Sequence, residues 1–119
     1  MDTKIWGKVQ QGNARGSKLG YNTANIAIHR AVEDGVHISR TKVDNVWHPS
    51  VTFIGAAITY GDTKRHAETH ILNFNRNIIG KRITINLLRR IRGNRKFSSE
   101  QDLVAAIKAD ISIAQTYFK

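Results

Sequence analysis

The stretch GVHISRTKVDNVWHPSVTFI, residues 35–54, contains two β-strand patterns on either side of the dipeptide Asp44-Asn45. Both halves are rich in valine, isoleucine and threonine, which favour strands, and Asp-Asn suits the tight turn between antiparallel strands. The stretch therefore predicts a hairpin with strands at 35–43 and 46–54. Pro49 has no backbone N–H to donate, so we expect an edge position or a bulge there.

Four other segments have the composition or alternation of strands. They are KIWGKVQQG at 4–12, TANIAIH at 23–29, AETHILNF at 67–74 and KRITINLLRRIR at 81–92. In the last of these, alternate residues predict two different faces. Ile83, Ile85 and Leu87 lie on the apolar face, whereas Arg82, Thr84 and Asn86 lie on the polar face.

The C-terminal segment has the period of a helix. Ser98 or Ser99 is a suitable N-cap, and Glu100 and Asp102 place negative charge in the first turn. Apolar residues then recur about every 3.6 positions. These residues are Leu103, Ile107, Ile111 and Ala114, with Val104 and Phe118 widening the stripe. The predicted fold is mainly β: six antiparallel strands closed into a small barrel, with one amphipathic helix packed outside.

Length and composition predict one domain over residues 1–119, because 119 residues with 40% hydrophobic side chains form a single core. No apolar stretch approaches the ~20 residues of a membrane-spanning helix. The N-terminus lacks the cationic and apolar segments of a secretory signal. The absence of cysteine excludes disulfides and thiolate metal sites. We expect a cytoplasmic protein.

The net charge of +10 indicates an anionic partner, either nucleic acid or a polyphosphate nucleotide. Much of this charge lies in the run KRITINLLRRIRGNRK at 81–96. Small β-barrels can bind nucleic acid through cationic strands and exposed aromatic residues. The aromatic residues Trp6, Trp47, Tyr21 and Tyr60 form no cluster in the sequence, which disfavours that interpretation.

Two neighbouring features suggest a phosphate and metal site. Gly12, Gly16 and Gly20 occur in a cationic loop, where glycine permits close approach of backbone N–H groups to an anion. Thr23 and Asn25 follow at positions i and i+2 of a strand and therefore share a face. Their neutral oxygens suit a hydrated Mg²⁺, although the same side chains could instead satisfy backbone groups at a strand start.

Glu68 is a candidate general base within the segment HAETHILNF. A carboxylate partly buried beside a substrate hydroxyl can accept its proton. His66 and His70 share its strand face. The alternative interpretation is an ordinary solvent-facing strand position.

Several motifs in order resemble the riboflavin kinase domain, which is found in eukaryotic flavokinases and in the C-terminal half of bacterial bifunctional FAD synthetases. The resemblance covers about Gly7 to Ile113. Its motifs are GxxLGxxTANI at 16–26, ETHILNF at 68–74, GKRI at 80–83 and LRRIRGNRKFSSEQDLVAAIKADI at 88–111. It implies a six-stranded antiparallel Greek-key barrel with a C-terminal helix.

The resemblance also implies the activity: Mg²⁺-dependent transfer of the γ-phosphate of ATP to the ribityl 5′-hydroxyl of riboflavin, giving FMN. Glu68 is then the catalytic base, and Thr23 and Asn25 hold the metal. The implied nucleotide-binding residues are Gly16, Ser17, Lys18, Leu19, Gly20, Thr23 and Asn25, and the implied flavin-binding residues are Arg92, Asn94, Phe97 and Leu103. We expect a monomer that binds riboflavin and ATP and no nucleic acid or membrane.

The chain departs from the family pattern at six positions. Asn22 replaces a usual proline, Phe53, Ala57 and Ile58 replace asparagine, arginine and proline, and Gly93 and Asn94 replace two acids. Two alternatives therefore stay open beside the kinase. One is a flavin- or nucleotide-binding domain with impaired turnover, and the other is a basic β-barrel that binds nucleic acid.

Overall fold

The computed structural model describes residues 3–11, 22–56 and 65–119. Six antiparallel strands and one helix are present in this part of the chain. They are β1 (Thr3–Lys8), β2 (Ala24–Ala27), β3 (Gly35–Val43), β4 (Val46–Gly55), β5 (His66–Ile71), β6 (Arg82–Arg92) and α1 (Glu100–Tyr117). None of the described helical residues forms a segment long and apolar enough to cross a bilayer.

The strands form one sheet in the order β1-β6-β3-β4-β5-β2, and the sheet curls into a nearly closed barrel. Its two ends meet where the Gln10 backbone N–H donates to the Asn25 carbonyl at 2.8 Å. The predicted fold class, a six-stranded antiparallel barrel followed by a helix, is confirmed.

The hairpin predicted at 35–54 forms β3 and β4. Asp44 and Asn45 have φ angles of 50° and 66°, the left-handed values that a two-residue hairpin turn of this kind requires. Pro49 pairs with Arg40 of β3, while the pairing of β4 with β5 begins only at Ser50. Pro49 thus lies in an interior strand, at the point where the pairing of β4 with β5 ends, and its carbonyl accepts the Leu72 backbone N–H at 2.9 Å.

The barrel interior has an apolar part and a hydroxyl part. Ile5, Ile26, Ile54 and Ile85 are fully buried in the apolar cluster. Beside it, five buried hydroxyl side chains bond to one another at 2.7 to 3.3 Å. They are Ser39, Thr41, Ser50, Thr52 and Thr69. Because each hydroxyl can donate and accept, the network satisfies these groups without water.

One end of the barrel contains a buried histidine. His37 is 6% exposed, and its Nε2 lies 2.9 Å from the Glu33 carbonyl oxygen. Burial lowers the pKa of His37, and the positive charge of Arg90 acts in the same direction, whereas the bond to Glu33 opposes them. The folded barrel therefore favours the neutral imidazole.

Helix α1 packs against the outside of the barrel, as predicted. Ser99 is the N-cap, since its hydroxyl accepts the Asp102 backbone N–H at 3.1 Å. Ala114 joins Val36, Ile38 and Val51 in a second apolar cluster beneath the helix. This cluster fixes α1 over β3 and β4.

A buried ion pair in the middle of the helix was not predicted. The carboxylate of Asp110, 7% exposed, accepts hydrogen bonds from Nε and Nη2 of Arg92 at 3.0 and 2.9 Å. Such bidentate, charge-assisted bonds are directional as well as strong. They tie the middle of α1 to the end of β6.

Candidate active site

Pairing between β2 and β5 brings the predicted metal-binding and catalytic residues together. Asn25 lies directly opposite Glu68 in the register, so the two side chains share the outer face of the barrel. Thr23, two residues before Asn25, projects from the same face just beyond the start of β2. Residues far apart in sequence thus form one site because β2 pairs with β5 in this register.

Thr23, Asn25 and Glu68 line a cleft of about 480 Å³. Glu68 is only 9% exposed, whereas Thr23 is exposed at the rim. A carboxylate at the base of an open cleft, with neutral oxygens above it, can meet a substrate hydroxyl while the outer part of the cleft accommodates a polar ligand.

Two histidines flank Glu68 on β5, as the strand alternation predicts. His66 Nε2 lies 3.7 Å from the Glu68 carboxylate, and His66 is buried. The His70 ring bonds through Nδ1 to the Asn22 carbonyl oxygen at 2.8 Å. His70 therefore holds the backbone that precedes Thr23 and Asn25. This contact gives it a positioning role.

The segment after β5 supplies cleft residues that the sequence reasoning missed. Phe74 was predicted only as the end of a strand and the run NRN at 75–77 only as a turn, yet Phe74, Asn75, Arg76 and Asn77 all line the cleft. Gln10 lines it from the end of β1. Two asparagines and an arginine in this segment could have indicated a binding site, because carboxamides and guanidinium groups recognise polar, anionic ligands.

Arg76 is oriented by two contacts at the edge of this cleft. Its guanidinium carbon lies 4.8 Å from the centre of the Phe74 ring. Its Nη1 lies 3.4 Å from the carboxylate of Asp44, which Lys81 also contacts at 3.2 Å. Lys81 and Arg76 lower the pKa of Asp44, the hydrogen bond from Lys81 being the largest cause.

The donor set of the cleft is compatible with a hydrated Mg²⁺. Thr23 and Asn25 contribute neutral oxygens, and Glu68 contributes the neighbouring carboxylate. Within residues 3–11, 22–56 and 65–119, no cluster of three His, Cys, Asp or Glu side chains forms a complete metal cage. Magnesium retains several waters and binds through few protein ligands when phosphates complete its shell.

The four predicted flavin-binding residues lie in the segment from the end of β6 to the first turns of α1, outside this cleft. Arg92 is bound to Asp110 and lies 5.5 Å from the centre of the Phe97 ring. The Asn94 amide donates to the Ala56 carbonyl oxygen at 3.1 Å. Leu103 is half-buried in the first turns of α1. The geometry therefore gives Arg92 and Asn94 structural partners in addition to any ligand.

A row across five strands connects the two groups of residues. On the outer face, Glu68 of β5 lies between Asn25 of β2 and Phe53 of β4. Phe53 is in turn opposite Val36 of β3, and Val36 is opposite Arg92 of β6. Phe53, where the family has asparagine, is thus the side chain between the candidate base and the β6–α1 junction.

Gly55 packs closely against this junction. A Cβ at Gly55 would lie 3.1 Å from the Asn94 amide nitrogen, and its φ of 140° is in the region that favours glycine. Asp34 approaches the same point, and its carboxylate binds Arg65. Because Gly55 has no side chain, the side chains of Phe53 and Asn94 can both pack against its backbone.

Some predicted residues lie outside the described part of the chain. They include the nucleotide-binding residues Gly16, Ser17, Lys18, Leu19 and Gly20, and the departures Ala57 and Ile58. Their predicted roles stay predictions.

Comparison with known proteins identifies relatives for nearly the whole chain. A family model described as Flavokinase, riboflavin kinase, matches residues 1–118. The bifunctional riboflavin kinase/FMN adenylyltransferase of Buchnera aphidicola is 34% identical over 119 residues, which are 96% of this chain and 38% of that protein. The RNA-binding riboflavin kinase RibR of Bacillus subtilis is 35% identical, with 98% of this chain and 52% of that protein covered.

A solved structure extends the comparison to the fold. The riboflavin kinase of Trypanosoma brucei superimposes with a TM-score of 0.67 at 23% identity, covering 98% of this chain and 76% of that one. The chain spans about two-fifths to one half of the length of the two curated relatives. These matches confirm the predicted family resemblance.

Proposed function

Because the chain belongs to the riboflavin kinase family, we propose that it transfers the γ-phosphate of ATP to the 5′-hydroxyl of riboflavin and so forms FMN. The observation that carries this proposal is the direct pairing of Asn25 with Glu68 in one cleft. It places a buried carboxylate beside neutral oxygens suited to a metal–nucleotide complex.

In the proposed reaction, Glu68 accepts the proton of the ribityl 5′-hydroxyl as that oxygen attacks the γ-phosphorus. The bond between the γ-phosphorus and the bridging oxygen of ADP breaks, so the products are FMN, ADP and a protonated Glu68. A general base within hydrogen-bond reach contributes about 10²- to 10⁴-fold in rate. The rest of the acceleration depends on alignment of the two substrates and on charge neutralisation.

Thr23 and Asn25 are the residues proposed to hold Mg²⁺ with the phosphates of ATP. The bound ion would neutralise phosphate charge. The protein contributes the orientation: His70 holds the backbone at Asn22, and pairing with Glu68 holds Asn25. The cationic Arg76 at the cleft edge adds electrostatic attraction for a polyphosphate.

The test is conversion of riboflavin to FMN, separated chromatographically, with ATP in the presence of Mg²⁺ or of a chelator. We expect FMN only with Mg²⁺. Asn25→Ala should reduce FMN formation strongly and weaken binding of Mg–ATP, with an unchanged melting temperature. Gln115→Ala, at an exposed position of α1, controls for loss of a carboxamide outside the cleft. Full activity of Asn25→Ala and Thr23→Ala would show that these side chains only satisfy backbone groups at the start of β2.

A second proposed function is binding of nucleic acid. It is supported by the net charge of +10 and by the Bacillus subtilis relative, which is described as an RNA-binding riboflavin kinase. The sequence favours the opposite expectation, because its aromatic residues are scattered and nucleic-acid binding leaves the TAN and ETH motifs unexplained.

A further inference from the structure

We propose that the outer face of β1, β6, β3 and β4 binds single-stranded nucleic acid. This inference rests on the second function proposed above and assigns the surface that would carry it. We call this surface the tryptophan face. Its outward-facing residues are Lys4, Trp6, Lys8, Arg82, Thr84, Asn86, Arg40, Lys42, Trp47 and Pro49.

Strand register places the two tryptophans of the chain in one row. Trp6 is opposite Thr84, Thr84 is opposite Lys42, and Lys42 is opposite Trp47. Adjacent strands are about 4.8 Å apart, so the backbone positions of the two tryptophans are roughly 14 Å apart along the curved sheet, and their outward-pointing indoles are further apart than that. Trp6 and Trp47, which are distant in the sequence, therefore share one row of the sheet.

Both indoles are unusually exposed for their size. Trp6 is 46% exposed and Trp47 is 40% exposed. Trp6 makes a T-shaped contact with His29 at 4.6 Å, and the ammonium group of Lys42 lies 5.5 Å from the centre of the Trp47 ring. Exposed aromatic rings on a sheet are stacking platforms for unpaired bases, as in the RNA-binding sheets that stack two or three bases on aromatic side chains.

The charge of the tryptophan face matches a phosphodiester chain. Five of its ten outward positions are cationic and none is acidic. Asp44, in the hairpin turn that joins β3 to β4, is paired with Lys81 and Arg76. Thr84 and Asn86, between the cations, offer hydrogen bonds to bases or sugars. Two separated, exposed aromatic rings with cations between them favour a single strand over a duplex or a lipid surface.

Neither tryptophan lines the cleft of the candidate active site. Trp6 precedes the cleft residue Gln10 by four residues, which corresponds to roughly 13 Å of extended chain. Along β4, Trp47 precedes Phe53 by six residues, which corresponds to roughly 20 Å of extended strand. Phe53 is the residue opposite Glu68. Variants of the tryptophans should therefore leave riboflavin phosphorylation unchanged.

The test uses fluorescein-labelled 12-nucleotide oligouridylate and oligothymidylate, a duplex RNA of the same length, and vesicles containing anionic lipid. Binding is measured by anisotropy, and by sedimentation for vesicles, over a range of salt concentrations. Trp6→Ala and Trp47→Ala should each weaken single-strand binding by roughly 5- to 150-fold. Lys42→Gln should reduce the slope of log affinity against log salt by about 0.7. Ile113→Ala and Lys108→Gln, exposed helix positions, are matched controls with wild-type binding expected.

If an alanine variant unfolds, Trp→Leu at the same position retains apolar contact but removes the ring. The proposal is overturned if the tryptophan variants bind like wild type, which would leave nucleic-acid binding to another surface. It is also overturned if duplex RNA or anionic vesicles bind as tightly as the single strands. If no probe binds, the second function itself fails, while the riboflavin kinase assay is unaffected.

Discussion

At the scale of single residues, Glu68 is the position on which the proposed chemistry depends. Its carboxylate is almost buried, lies opposite Asn25 and is 3.7 Å from His66. Glu68→Gln retains the shape and a hydrogen bond to the substrate but cannot take up the proton. Its single-turnover rate should fall roughly 10²- to 10⁴-fold, with riboflavin and ATP affinities changing much less.

His66→Ala and His70→Ala are the matched comparisons for this prediction. His70→Ala removes the contact with the Asn22 carbonyl and should mainly weaken nucleotide binding. If Glu68→Gln retains a near-normal single-turnover rate while a histidine variant loses most of its rate, the base is a histidine and the assignment to Glu68 is wrong.

His37 predicts how stability depends on pH. Burial lowers its pKa below 6.5, so the unfolded chain takes up a proton that the folded barrel resists. The free energy of unfolding should therefore be at its full value above pH 6.5 and decrease as the pH falls below it. His37→Gln should reduce this decrease, whereas His29→Gln, at an exposed position, should not. Urea unfolding between pH 5 and 8 measures the effect, and coincident curves for His37→Gln and wild type would contradict it.

At the scale of elements, the Arg92–Asp110 pair determines how α1 is held. Asp110→Ala leaves a partly buried guanidinium without its carboxylate and should cost about 3 kcal/mol of unfolding free energy. Lys108→Ala, on the exposed side of the same helix, should change it by less than about 0.5 kcal/mol. Chemical denaturation gives both values. Equal stability of the two variants would show that the apolar cluster alone holds the helix.

The elements show which interactions local sequence can predict. The hairpin at 35–54 was predictable because its turn and its β-branched strands are encoded within twenty neighbouring residues. The strand faces of β6 and the N-cap of α1 follow from alternation and capping chemistry in the same way. Each of these features depends on residues close in the chain.

The ion pair and the tryptophan row depend instead on register between distant strands. The family resemblance assigned Arg92 to a flavin site, but the structure adds Asp110 as its partner eighteen residues later. Trp6 and Trp47 become neighbours in a row only once β1, β6, β3 and β4 are aligned. Single-sequence patterns contain no information on that alignment, since pairing partners are set by the whole fold.

The motifs TAN and ETH were predictable in part, because each is visible in the local sequence but their combination depends on strand register. Each was noticed locally, as a pair of neutral oxygens and as a lone acid, and each had a plain structural alternative. The register that places Asn25 opposite Glu68 joins them, and neither motif alone predicts it. The asparagine-rich turn at 73–77 was missed because its function depends on where the fold places it, at the edge of that same cleft.

At the scale of the whole molecule, the candidate site lies where the barrel closes. β1 and β2 are the ends of the sheet, and among the described residues they are joined by the Gln10–Asn25 bridge. β2 has four residues, whereas β3 has nine and is paired on both sides. Short elements with few partners open at lower free energy than central strands, so this closure should be the weakest part of the barrel.

This arrangement predicts a link between nucleotide binding and barrel closure. The amides of Gln10 and of residues 24–27 should exchange with deuterium faster than those of β3. A non-hydrolysable ATP analogue with Mg²⁺, at about 100 times its Kd, should slow their exchange by up to roughly 100-fold, because opening the bridge separates residues that bind the ligand. Asn25→Ala should lose this protection, whereas Lys108→Ala should retain it. Unchanged exchange at Gln10 under saturating analogue would place the nucleotide away from the β1–β2 closure and would contradict the proposed site.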